Sequence, residues 1–214
     1  MEHVIDLGSR TLALQSSSSI ASVGKLVEYT LAQVAGAADQ WTDGFLVEAG
    51  SWIFRLDERA AGRWQLQALS GGPEQWSDDA TEALELMDSQ YRVLARVGVE
   101  PAEGRVDHLV LVHEDVLLVE DPDPAALEFR RRSSGEDLAD DGHDSGWYLG
   151  PVGADVPRPD QLVRRTMGSL AEDFPVAVSA MLLPLGTVVR FDDNGISSVV
   201  SASGTEHWKR NRAV

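Results

Sequence analysis

The chain has 214 residues, 43% of them hydrophobic, a globular composition that can bury a core without cross-links. It has no cysteine, which excludes disulfides, thiolate metal sites and thiol nucleophiles. Its formal net charge is −17, shared between residues 1–106 (16 acids, 8 bases) and 107–214 (19 acids, 10 bases). A field of that sign disfavours phosphate backbones, so no nucleic-acid partner is expected, and it steers a basic protein instead.

Met1-Glu2-His3-Val4-Ile5-Asp6 lacks the basic and apolar regions of a secretory signal, and the apolar runs fall far short of the ~20 residues of a membrane helix. The expected location is cytoplasmic, with no membrane partner. The first predicted helix carries Val23, Leu26, Val27, Thr30, Leu31 and Val34 at helical spacing, capped by Ser22 and stopped by Gly36. Residues 44–48 and 51–55 read as a hairpin over Ala49-Gly50, and 63–69 as a third strand with Trp64, Leu66 and Ala68 on one face. A second helix is predicted over 78–97, with Ala80, Ala83, Leu84, Met87, Tyr91, Leu94 and Ala95 as its stripe.

Pro101 with Gly98 and Gly104 marks the expected joint between an N-terminal α+β unit, 1–104, and a second unit, 105–204. The second unit opens with a predicted hairpin, 108–113 and 116–119 over Glu114-Asp115, followed by a strand over 127–132 and an acidic exposed loop over 133–143. Helices are predicted over 159–170 and 175–183. The segment Asp192-Asp193-Asn194-Gly195 joins two apolar runs, a strong hairpin signal. The tail, 205–214, is polar and expected to fray. The fold class is α+β, with antiparallel sheets and a few packed helices.

Tests for chemistry return little. His108 and His113 would face opposite sides of a strand, and Asp140, Asp141 and Asp144 lack the ligand spacing of a calcium loop, so no metal is expected. There is no G-x-S-x-G, no phosphate-binding glycine loop and no dinucleotide fingerprint, hence no expected cofactor and no catalytic set. The one spot that invites an enzymatic reading is His143 beside Asp144 and Ser145. Trp52 and Trp64 read as core, whereas Trp41, Trp76 and Trp147 sit at element ends where aromatic anchors of interfaces occur. Arg130-Arg131-Arg132 is the dense basic cluster, expected to pair internally with Glu128, Glu136 or Asp137.

Asp144-Ser145-Gly146-Trp147-Tyr148, then Pro175, Leu182-Leu183-Pro184-Leu185-Gly186 and Arg190-Phe191, follow one another in an order that resembles the Imm33-like family of bacterial immunity-type domains. The resemblance covers about His108 to Phe191. It departs at Leu149-Gly150-Pro151-Val152-Gly153, where the family commonly has an aromatic and a Gly-rich acidic segment. What it implies is a non-enzymatic binding protein that neutralises a cognate toxin, many toxins of this sort being basic nucleases. Adaptor or regulatory protein and unrecognised enzyme are the alternatives. The candidate contact residues are Asp140, Asp141, Asp144, Ser145, Trp147 and Trp76. In a second reading of the tetrad, Asp144 and Ser145 hold a turn at Gly146 and Trp147 anchors the core.

Overall fold

The computed structural model describes residues 1–72, 74–119, 123–132, 144–153 and 157–209. Among these, five α-helices and two mixed sheets form an α+β protein. The chain divides into two compact units, Met1–Ser89 and Gln90–Val214.

In the first unit, β1 (Glu2–Asp6) and β2 (Thr11–Gln15) make a hairpin that composition alone left unread. Helix α1 (Ala21–Ala35) follows and buries Val23, Val27, Thr30, Leu31 and Val34. Its N-cap is Ile20, with no side-chain cap bond, and Ser22 lies inside its first turn; Gly36 closes it as expected. Strands β3 (Leu46–Ala49), β4 (Trp52–Ala60) and β5 (Arg63–Leu69) come next, then the short β6 (Trp76–Ser77). The sheet order is β1-β2-β5-β4-β3, with β6 on β5. Not every neighbour is antiparallel. β2 inserts parallel to β5, Leu12 opposite Trp64 and Leu14 opposite Leu66, because α1 and the β3–β4 hairpin lie between them in the chain.

Helix α2 (Thr81–Val97) starts three residues later than its carboxylates suggested, Asp79 turning the chain by accepting from the Thr81 amide at 3.0 Å. Ala83, Leu84, Met87 and Leu94 are buried, and Val93 and Val97 with them; Tyr91 and Ala95 face outward. The division between the units falls inside this helix, between Ser89 and Gln90, not in the 98–104 loop. Gln90 is buried in the second unit, its amide donating to the Val178 carbonyl at 3.3 Å.

In the second unit, β7 (Leu109–His113) runs into a single helical turn, α3 (Glu114–Leu117), where a hairpin was expected. The His113 ring caps that turn, Nδ1 accepting from the Asp115 amide at 3.3 Å, and Glu114 and Asp115 suit the first turn of a helix. Strand β8 (Leu127–Arg131) and β9 (Asp144–Pro151) follow. The region 159–170 is not one helix: it folds as a 3-10 turn, Pro159–Gln161, then strand β10 (Leu162–Thr166), then α4 (Met167–Asp173). Pairing with β7, Val163 opposite Val112, overrides the local propensity. The next helix, α5, is only Pro175–Val178. β11 (Val188–Asp192) and β12 (Gly195–Val200) form the expected hairpin. Part of the tail is ordered as β13 (Glu206–Lys209) on β12, with the Arg96 guanidinium 3.7 Å over the Trp208 ring.

The seven strands run β10-β7-β9-β8-β11-β12-β13, again with one parallel pair, β7 and β9. Phe129, Trp147, Leu149, Val110, Val112 and Val189 are buried on one face. The other face carries Glu128 and Arg130 opposite Gly150 and Tyr148.

Candidate functional site

The Asp-Ser-Gly-Trp tetrad opens β9, and each member has a structural partner. Asp144 accepts from the Gly146 amide at 2.8 Å and forms an ion pair with Arg132. Ser145 donates to the Leu109 carbonyl at 2.6 Å, which fastens β9 to β7, and accepts from the Trp147 amide at 3.1 Å. Gly146 takes φ +74°, a left-handed value that disfavours a side chain, and its carbonyl accepts from the Arg132 amide. Trp147 is fully buried, and Phe129 lies beside it on β8. A side chain without exposed surface offers nothing to a docking partner, so Trp147, and with it the buried Ser145, belongs to the core reading.

The other expected contact residues scatter. Asp140 and Asp141 lie outside the described residues, as do His143, Glu136 and Asp137. Trp76 is half-buried on β6 in the first unit, with the Arg55 guanidinium 4.9 Å from its ring centre. Trp41 is buried and donates to the Val34 carbonyl at 3.0 Å. Among the described residues no group of three or more His, Asp or Glu is gathered as metal ligands, and no helix is long and apolar enough to cross a membrane.

The Arg130–Arg132 run splits by strand alternation. Arg131 is buried on the inner face, where Nη1 donates to the Leu183 carbonyl at 2.5 Å, Nη2 to that of Glu103, and the guanidinium lies 5.8 Å from the Trp147 ring centre. Burial pulls its pKa below the ordinary arginine value, and the charge of Glu103 opposes that pull. Arg130 and Arg132 point the other way, to Glu128 and Asp144.

Around Glu128 the outer face holds the expected pairing with Arg130 within a wider cluster, with Arg190 and Tyr148, that sequence reading missed. Glu128 is 1% exposed and paired with Arg130, and Arg190 of β11 stands 3.7 Å from its second oxygen. That oxygen, the Arg130 Nε and the Tyr148 hydroxyl are buried without a hydrogen-bond partner. The Tyr148 ring lies along the strand over Gly150: a Cβ there would sit 2.0 Å from the phenol oxygen. Burial raises the pKa of Tyr148; Arg130 works against this, and Glu128 and Asp115 add to it.

A cleft of 410 Å³ opens on the inner side of the same unit. Its walls are Val116, Val119, Leu127, Leu149, Phe174 and Phe191 among others, and Asp173 is the single charged residue in the described lining. Leu118, 78% exposed, and Val119, 51% exposed, carry the apolar surface outward. The chain beside the lining is acidic: Glu114 and Asp115 precede Val116, exposed Asp123 precedes Pro124, and exposed Glu172 precedes Asp173. Individually these residues carry no sequence signal. Only the fold brings 116–119, 124–127, 149, 173–177 and 191 together.

No protein-family model matches the chain, and neither a curated protein nor a solved structure does.

Proposed function

We propose that this is a non-enzymatic binding protein that takes a basic protein partner, in the manner of an immunity-type inhibitor that neutralises a toxin. The apolar cleft set in acidic chain carries the reading. Apolar walls that continue into exposed Leu118 and Val119 suit a protruding hydrophobic side chain, and exposed apolar surface of this kind marks binding sites. The surrounding carboxylates, in a chain of net charge −17, favour a cationic frame around that side chain and speed its encounter. The tetrad supports the reading indirectly, since its polar groups are occupied in holding β9 and are not aimed at a substrate.

The test is capture by the tagged full-length protein from its native lysate, washed at low and then high salt, beside a Leu118→Ser, Val119→Ser double variant. The expected result is one basic protein, held by the wild type at low salt, weakened by high salt and lost by the variant. That protein, expressed alone, should arrest growth, and co-expression of the wild type but not the variant should relieve the arrest. A partner held equally by both forms would remove the cleft from the account. A partner that is harmless when expressed alone would remove the immunity role.

A further inference from the structure

We propose that His113 is a proton-operated latch on the apolar cleft: its protonation loosens the turn that forms one wall and releases a bound partner. The proposal deepens the binding role given to the cleft above and rests on it. The turn is α3, four residues long and too short to hold itself. It supplies Val116 and Leu117 to the cleft wall and leads directly into exposed Leu118 and Val119. A side chain starts it. The His113 ring, 6% exposed, caps the turn through Nδ1, which accepts from the Asp115 amide at 3.3 Å. An accepting Nδ1 carries no proton, so the neutral ring has its proton on Nε2.

A proton on Nδ1 undoes this arrangement. The acceptor becomes a second donor facing the Asp115 N–H, and that amide loses its partner. A positive charge also appears at the N-terminal end of a helical turn, where the dipole opposes it. The group placed to take the new N–H is the Asp115 carboxylate, with Oδ2 3.5 Å from Nδ1. Contact with it draws in the residue that precedes Val116, so protonation moves the backbone of the wall. Other charged groups surround the ring on each element packed against it. On α3, Glu114 follows His113 directly. On β10, Leu162 is opposite His113, and Arg164, which has an interaction of its own, is two residues further along. On β9, Val112 pairs with Leu149, so Gly150 falls beside His113 with the Tyr148 phenol over it. That phenol is uncharged wherever a histidine titrates, burial being the main cause of its raised pKa. Beyond it on β8, Glu128 is paired with Arg130 and has Arg190 3.7 Å away. Glu128 is thus engaged, and Asp115 is the partner at hand. Release has a second cause of the same sign: the added positive charge sits beside the acidic chain that favours a basic partner.

The experiment uses the full-length protein, Nile red as a neutral apolar probe of the cleft, and His113→Asn, whose side-chain oxygen keeps a cap acceptor that does not titrate. In the wild type, the Asp115 amide and Val116 methyl NMR signals should move together with the His113 ring signal as pH falls from about 8 to about 5, the range in which histidine changes charge. Dye affinity should fall about fivefold or more over the same range and hold in His113→Asn. His3, His108, His143 and His207 are present in both forms, so their titration drops out of the comparison. The proposal is overturned if the Asp115 and Val116 signals do not follow His113, if wild-type dye binding survives acid, or if His113→Asn loses it to the same extent; each of these leaves the cleft reading standing. A dye that binds at no pH, or that binds the Leu118→Ser, Val119→Ser variant as well as the wild type, overturns the cleft as a binding site and the proposal with it.

Discussion

Trp147 lies flat on Phe129 of the neighbouring strand, ring centres 4.1 Å apart and planes 8° from parallel, and its indole N–H donates to the Met181 carbonyl at 2.9 Å. One side chain thus joins the sheet to the segment after α5. Trp147→Ala is expected to cost about 3–5 kcal/mol, the range for a large buried aromatic. Trp147→Phe keeps an aromatic ring but leaves the Met181 carbonyl unpaired, a loss of about 1–3 kcal/mol. Urea denaturation read by far-ultraviolet circular dichroism measures both. A loss below about 1 kcal/mol in the alanine variant would remove the indole from its anchoring role.

Gly150 has no room for a methyl group while the Tyr148 phenol is in place. Gly150→Ala should therefore displace the ring from the sheet. Burial is the main cause of the raised Tyr148 pKa, so displacement should bring the phenol back toward its ordinary value of 10.0. Absorbance titration near 295 nm follows this, with Tyr148→Phe as the assignment control. In the wild type the raised value has a sign for stability. The contribution is fully present below pH 10.0 and is lost as pH rises through the higher native value, because the unfolded phenol ionises first. A phenol that titrates identically in Gly150→Ala and wild type would refute the displacement.

Asp107 is held by a two-pronged contact from Arg105, Nε to Oδ1 at 2.9 Å and Nη2 to Oδ2 at 2.7 Å. Burial alone would raise its pKa. The Arg105 hydrogen bond and charge, with the nearby His108 and the residue's own amide, outweigh burial and leave the value below 3.8. The resulting stabilisation is present above pH 3.8 and is lost as pH falls through the depressed native value. Arg105→Gln should reverse the shift, since burial then acts with less opposition. Carboxyl-detected NMR titration gives the direction, and the acid limb of the stability curve should flatten, by no more than about 1 kcal/mol for so exposed a pair. An unchanged Asp107 midpoint in Arg105→Gln would show that the arginine is not its partner in solution.

What could be read from the sequence follows how local the cause is. Asn194-Gly195 announced its hairpin because the turn needs only those residues, Gly195 taking φ +107° and the Asn194 amide donating to Asp192. Strand β5 was legible from its apolar alternation, although Gln65 and Gln67 are buried beside Trp64 and Leu66. Leu162–Thr166 was misread as helix because its strand state depends on β7, a partner fifty residues away. Glu114–Leu117 was misread because the deciding contact is a histidine side chain acting as a cap. The same limit applies to the sites. Asp144, Ser145 and Trp147 stood out as a tetrad, and their structural reading was already open in sequence. Glu128, Tyr148 and Gly150 come together only through the register of β8 on β9, and the cleft only through stretches far apart in the chain.

The parallel seating of β2 against β5 also orders events during synthesis. The hairpin Glu2–Gln15 leaves the ribosome before the strand it must join, which begins at Arg63. At about 5–20 residues per second, the intervening chain takes roughly 2–10 s to appear. During that wait β1 covers one edge of Thr11–Gln15 and the other edge is an unpaired row of amides and carbonyls bearing Leu12 and Leu14. The nascent chain is therefore exposed to mispairing at the Glu2–Gln15 hairpin throughout that interval. Whatever attends it on the ribosome has its task set by when Trp64 and Leu66 arrive.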